Sequence, residues 1–247
     1  DIVIGVGGFV TAPVIYAAHR LGIKTLIHEQ NSEYGMTNKF LSKYANVVAT
    51  SFPKMEIKNK KVVFTGNPVG DSSYDIKLSK KELGVSLSKK LVTRVMGSLG
   101  SDVTSDKMKD VLPLFNNKDY EVLFITGNEY YDKFKKMKLS KNIFVLPYID
   151  NMRKIFKDVD VLVTRGGAST MSEILAYNVP SIIVPSPYVT HNHQYKNAMA
   201  LVDKDAALLL EEKDFNGENL LKKIEYLLND KEEVLKIKKN LSRIYIP

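Results

Sequence analysis

Cysteine is absent from the 247 residues, which excludes a disulfide framework, thiolate metal sites and a cysteine nucleophile. No apolar run approaches the length that crosses a bilayer, and no signal-peptide pattern is visible at the start. Internal repeats and low-complexity tracts are missing too. Acidic side chains are the scarcer charge, 28 against 36 basic ones, which leaves a formal net charge of +8. That balance draws anions in general, whether nucleotides, phosphorylated substrates, acidic lipid or nucleic acid, and does not choose among them. The hydrophobic share of 44% is ordinary for a globular chain and allows a sizeable core. The chain opens in the strand-like run Ile2-Val3-Ile4 without a methionine and stops abruptly at Ile244-Tyr245-Ile246-Pro247. It is expected to be a fragment cut at both ends. A cytosolic compartment fits the lack of cysteine.

Short apolar runs alternate with amphipathic, lysine-rich stretches. Strands are expected at Asp1 to Val6, Thr25 to His28, Val47 to Ser51, Val62 to Thr65 and Leu91 to Met96. Five more are expected at Glu121 to Thr126, Asn142 to Leu146, Val161 to Thr164, Ser181 to Val184 and Ala206 to Leu210. Most are apolar on consecutive positions, the mark of strands covered on both faces in a parallel sheet. Helices fill the gaps, for example Pro13 to Leu21, Lys107 to Phe115, Thr170 to Tyr177, Gln194 to Val202 and Gly217 to Leu228. This alternation predicts βαβ units and an α/β fold. The turn-rich stretch Thr65-Gly66-Asn67-Pro68-Val69-Gly70 precedes a polar segment and a fresh series of six strands, so a domain boundary is placed there. The tail Lys231 to Arg243 reads as a charged amphipathic helix with a solvated face, and no nucleic-acid partner is expected.

Three glycine turns follow strands. Gly5-Val6-Gly7-Gly8-Phe9-Val10-Thr11-Ala12-Pro13 lets the backbone take positive φ, with Thr11 placed to cap the next helix and Pro13 in its first turn. Glu29 ends the next strand at a spacing that suits a dinucleotide fingerprint, although Val10 stands where the third glycine belongs. Met96-Gly97-Ser98-Leu99-Gly100-Ser101 offers N–H groups and Ser98 to a phosphate, or is a plain tight turn. Thr164-Arg165-Gly166-Gly167-Ala168-Ser169-Thr170-Met171-Ser172-Glu173 opens a helix after a buried strand. There Thr170 and Glu173 fit a capping box, and Glu173 equally fits a carboxylate that accepts from ribose hydroxyls. Past another strand end, His191 and His193 sit two apart, with no carboxylate near in sequence, so no metal site is expected. Gln194 and Asn197 share a helix face, there to bind a sugar or base or to cap and pack.

Together and in order, these segments resemble the MurG family, whose members transfer N-acetylglucosamine from UDP-GlcNAc to lipid I at the inner face of bacterial membranes. Ile4 to Pro13 looks like that family's second glycine loop. Ile27-His28-Glu29-Gln30-Asn31 with Gly35-Met36-Thr37-Asn38-Lys39 looks like its HEQN…GLTN segment. Thr65-Gly66-Asn67-Pro68-Val69 is similar to its interdomain TGNP. Pro147 to Met152, Arg165 to Glu173 and His193 to Ala198 are similar to its donor-site segments. Three departures stand out: the family's first glycine loop, with its histidine general base, is missing; Gly70 stands where many members have arginine; and Met96 and Leu99 replace the usual Gly and Gln of a GGSQG turn.

The resemblance implies a GT-B fold, two Rossmann-like domains with parallel sheets, the first incomplete. Residues 1–69 would be part of an acceptor and membrane-side domain, and 70–247 the UDP-GlcNAc donor domain. It implies Asn31 near the transferred sugar and Ser98 on the diphosphate. It implies the Ile149 backbone on the uracil edge, with Ala168, Ser169 and Thr170 against the nucleotide. Glu173 would hold the ribose hydroxyls and Gln194 the GlcNAc hydroxyls. The expected reaction is an inverting single displacement without a cofactor or metal. The acceptor is undecaprenyl-linked lipid I, and the enzyme is peripheral on the anionic cytoplasmic face of the plasma membrane. A UDP-GlcNAc epimerase of the same fold, an NAD-dependent oxidoreductase and a non-catalytic UDP-sugar-binding fragment are the rival readings.

Overall fold

The computed structural model describes residues 1–53, 55–57, 61–70, 80–96, 102–150 and 152–245. Two parallel sheets carry the chain. The first has the order β1-β2-β3-β4, from Ile2–Gly5, Lys24–Glu29, Val47–Thr50 and Val62–Phe64. Helices α1 (Thr11–Arg20) and α2 (Met36–Leu41) link its strands. Its core is small, a cluster of Ile15, Ile27, Leu41, Ala45 and Val48.

The second sheet holds β5 (Leu91–Val95), β6 (Glu121–Ile125), β7 (Ile143–Leu146), β8 (Val161–Thr164), β9 (Ser181–Ile183) and β10 (Leu208–Leu209). Their order is β10-β9-β8-β5-β6-β7, all parallel. The chain therefore runs outward from β5 to β7, then returns to β8 on the other side of β5 and runs outward again. The strand order reverses between β5 and β8, where Val95 pairs with Thr164. In open α/β sheets, crevices for ligands form beyond the carboxyl ends of the strands at such a reversal.

Helices α3 (Asp102–Val111), α4 (Asn128–Lys135), α5 (Arg153–Phe156), α6 (Ala168–Tyr177), α7 (His193–Val202), α8 (Gly217–Asn229) and α9 (Lys231–Ile244) cover this sheet. The core is continuous across it, with Phe124, Phe134, Leu162, Ile174 and Ile182 fully buried. The consecutive apolar positions that predicted doubly covered strands are explained by this burial. The last helix returns to the interdomain stretch, where the Tyr245 hydroxyl donates to the Gly70 carbonyl at 3.2 Å.

One buried ion pair stiffens the end of β8. Arg165 and Glu212 are 5% and 6% exposed, and their charges meet at 2.6 Å without a well-directed hydrogen bond. Arg165 also donates to the Val184 carbonyl and to the Thr104 hydroxyl of α3.

Two expectations about helix starts are corrected. Helix α1 has Val10 as its N-cap residue with no side-chain cap, and the Thr11 hydroxyl instead donates back to the Gly7 carbonyl. A hydroxyl one residue inside the helix turns toward the preceding loop rather than toward the free N–H groups. Helix α6 starts at Ala168 with Gly167 as N-cap, so Thr170 lies inside the first turn and forms no capping box with Glu173. The glycine turn bends three residues earlier than that pairing requires.

Candidate functional site

A cavity of about 750 Å³ opens beyond the carboxyl ends of β5 and β8. That is ample for a nucleotide, since ligand pockets run to about 300–1,000 Å³. Val95 and Thr164 form its floor at the strand reversal, and Ile125 extends it along β6. Pro147, Tyr148 and Ile149 line it from the loop after β7, and Arg153 from α5. Thr170 and Glu173 enter from α6, and Pro68 and Val69 close it from the interdomain stretch.

Glu173 is the only acidic side chain besides Asp150 among the lining residues. It makes no hydrogen bond among the described residues. Burial pushes its carboxyl pKa up to about 7, against the opposing pull of Arg153. A carboxyl poised at neutrality and short of donors is suited to accept hydroxyl groups from a ligand.

A second opening of about 480 Å³ lies between the two sheets. Gly7, Gly8, Asn31 and Ser32 line it from one half, and His191, His193 and Lys196 from the other. Its walls are tied by Asn197, which is 0% exposed. The Asn197 amide donates to Asn31 Oδ1 at 3.2 Å and to the Gly166 carbonyl at 3.1 Å. Its oxygen accepts from the Ser32 N–H at 2.8 Å. Gly166 is required at this crossing, because a Cβ there would lie 2.1 Å from the Gln194 carbonyl oxygen.

Glu29 organises the facing loop. Its carboxylate is 3% exposed and accepts from the Asn31 N–H and side chain, the Gly35 N–H and the Asn38 amide. With both oxygens engaged by its own loop, it is not the ribose acid of a dinucleotide fingerprint. His28 adds a tie to the interdomain stretch, with Nε2 3.0 Å from the Gly66 carbonyl and 3.3 Å from Ser51 Oγ. His193 Nδ1 lies 2.8 Å from the Thr190 carbonyl. Among the described residues no group of three or more histidines and carboxylates converges as a metal site.

Comparison with known proteins decides the family. The glycosyltransferase family 28 C-terminal domain matches residues 91–244, and the family's N-terminal domain matches residues 1–50. A UDP-N-acetylglucosamine–N-acetylmuramyl-(pentapeptide) pyrophosphoryl-undecaprenol N-acetylglucosamine transferase of Bacillus cytotoxicus is 44% identical over 100% of this chain and 70% of its own length. The enzyme of that name from Bacillus subtilis is 40% identical over the same shares. The crystal structure of Acinetobacter baumannii MurG superposes with a TM-score of 0.76 and 29% identity, covering 97% of this chain and 69% of that one. The chain belongs to the MurG family. A UDP-N-acetylglucosamine 2-epimerase structure from Listeria monocytogenes, at TM-score 0.68 and 13% identity, shares the fold alone.

The MurG-like segments sort by position. Ile149, Thr170 and Glu173 come together in the larger cavity, and Asn31 lies in the interdomain opening. Ala168 and Ser169 begin α6 but line neither space, and Ser169 is exposed. Gln194 lines neither; its side-chain oxygen accepts from the Ser186 N–H at 2.9 Å. Ser98 and Leu99 lie outside the described residues. Gly70, where many MurG members carry arginine, is packed so that a Cβ would stand 3.0 Å from the Ser172 carbonyl oxygen. Sequence reasoning missed Arg153, and it left Asn197 open between ligand binding and packing; the buried asparagine proves to be the clasp.

Two outcomes follow from this geometry. Asn197→Ala should destabilise the protein by about 2–3 kcal/mol in urea unfolding, because it strands the Ser32 N–H and the Gly166 carbonyl. Glu173 binds its proton more tightly folded than unfolded, so ionising it costs native stability. Stability should therefore fall as pH rises from about 4.5 to about 7, by on the order of 2 kcal/mol, and Glu173→Gln should abolish that slope in paired unfolding curves.

Proposed function

We infer that the protein is a UDP-GlcNAc-dependent hexosyltransferase that moves N-acetylglucosamine onto lipid I, giving lipid II for peptidoglycan. The observation that carries this reading is the cavity at the β5/β8 reversal. There the Ile149 loop and Glu173, far apart in sequence, face the same nucleotide-sized space in a chain 44% identical to a transferase of that name. The reading assigns residues 70–247 to the donor side and residues 1–69 to the acceptor and membrane side.

The Ile149 backbone pairs with the uracil edge, and Glu173 as a carboxylate accepts from the ribose hydroxyls. Thr170, Ala168 and Ser169 lie along the nucleotide. Gln194 exchanges its Ser186 contact for the sugar hydroxyls, and Asn31 faces the transferred sugar.

The acceptor hydroxyl attacks the anomeric carbon from the face opposite the diphosphate. The new O–C bond forms as the C–O bond to UDP breaks, and the configuration inverts. The bonding electrons leave with the β-phosphate, and the hydroxyl proton passes to a general base or to solvent. The transition state has oxocarbenium character, as in glycoside hydrolysis. Charge growing on the leaving diphosphate is met by helix-start N–H donors, which act best when already oriented.

A peripheral position on an anionic membrane is supported by the net charge of +8 and by exposed Phe9, Val10, Val14 and Leu21 around α1, beside exposed Arg20 and Lys24. Among the described residues no helix is long and apolar enough to cross a membrane.

Calorimetric titration should show binding of UDP-GlcNAc and UDP and none of NAD. Glu173→Ala should weaken UDP roughly ten- to a hundredfold, the worth of hydrogen bonds to a charged group. Wild-type affinity for UDP should fall as pH drops below about 7, where Glu173 takes up its proton. Binding of NAD without UDP would end the transferase reading.

A further inference from the structure

Arg153 lines the larger cavity but takes no part in the contacts assigned to the nucleotide. Among the described lining residues it is the only basic one. It opens α5, a short helix anchored by the buried Ile155 and Phe156. The Phe156 ring packs 5.7 Å from the Tyr177 ring at the end of α6. Residues three or four apart share a helix face. Arg153 stands one turn before Phe156, and Glu173 one turn before Tyr177. The ring contact therefore brings Arg153 and Glu173 to the same side of the cavity, and both line it.

The two charges do not close into an ion pair. Glu173 makes neither a hydrogen bond nor a salt bridge among the described residues, and the Arg153 charge reaches it through space. That charge favours the carboxylate, while burial opposes it more strongly. Helix α6 holds no other charged residue. The elements packed on α6 turn no further cation into the cavity. The interdomain turn Pro68–Gly70 has no charged residue. Helix α7 gives Lys196 to Glu33 at 2.5 Å. Helix α9 buries Ile237, Leu241 and Ile244, and the Tyr245 hydroxyl donates to the Gly70 carbonyl. Lys154 of α5 does not line the space, and the loop after β7 adds Tyr148 and Asp150.

Hydrogen bonds to a charged acceptor are about twice as strong as neutral ones. Two ribose hydroxyls need an acceptor with both oxygens open, which only the ionised carboxyl provides. We propose that Arg153 is a positioning residue for ribose recognition: held beside Glu173 by the Phe156–Tyr177 contact, its charge keeps that carboxylate in the form that accepts from both hydroxyls, without touching the nucleotide itself. The ribose rests on the nucleotide reading of the cavity; the action of Arg153 on Glu173 in the free protein does not.

The test has two arms, each run on wild type, Arg153→Met, Arg153→Gln and Arg153→Lys. In the free protein the Glu173 carboxyl is titrated by carbon NMR, its signal identified by its loss in Glu173→Gln. The neutral variants should titrate at higher pH than wild type, and Arg153→Lys close to it. Calorimetric titration then compares UDP with its dideoxy analogue, which lacks both ribose hydroxyls. At neutral pH the neutral variants should lose roughly three- to fivefold for UDP and nothing for the analogue, the size of a through-space charge interaction in a partly screened site. At a pH of about 8.5 the loss should largely vanish, because the carboxyl ionises there without help. Should Arg153→Met not fold, Arg153→Gln gives the same comparison. The proposal is overturned if the neutral variants leave the Glu173 titration unmoved, if UDP and the analogue lose alike, or if the UDP loss persists at the higher pH. If the titration depends on Arg153 yet wild type binds no UDP, the nucleotide reading is what falls.

Discussion

The amide of Asn197 is the constraint on which the arrangement of the cleft rests. It reaches from α7 to the loop after β2 and to the turn after β8 at once. Fully buried, it has no water to replace any partner it loses, so each of its bonds weighs more than one at the surface. The neighbouring Lys196–Glu33 pair also crosses the gap, but both side chains are exposed and such a pair contributes little. Glu29 extends the same constraint on the other wall by holding Asn31 from behind. Fixing this crossing sets the separation of the two sheets, and with it the shape of the interdomain opening.

The larger cavity owes its chemistry to a different fact, the place where α6 begins. With Gly167 as the N-cap residue, Glu173 is released from capping and lines the cavity at the β5/β8 reversal. Burial then does what sequence position does not reveal, lifting the carboxyl toward neutrality. The same turn carries Gly166, whose missing side chain admits the α7 backbone. One short glycine stretch thus positions both the Glu173 carboxylate and the clasp.

Strand placement was legible because burial on both faces leaves an unbroken apolar run, as in Val122–Ile125 and Val161–Val163. Strand ends shifted by a residue or two, and β10 shrank to Leu208–Leu209. Caps were less legible. Thr11 and Thr170 are both good cap residues, yet a shift of one to three positions in the helix start places each inside its helix, where neither caps it. Least legible was Asn197, whose partner Asn31 is 166 positions away, beyond the reach of any local spacing rule. The acid Glu29 misled for a related reason. Its spacing suits a dinucleotide site, and only the folded loop shows four donors already turned toward it.

A crystal structure of the protein with UDP bound tests the central claim most directly. The account predicts uracil against the Ile149 backbone and the ribose hydroxyls on the Glu173 carboxylate, within the cavity at the β5/β8 reversal. A nucleotide seated instead in the opening lined by Gly7, Asn31 and His193, with Glu173 untouched, would contradict it.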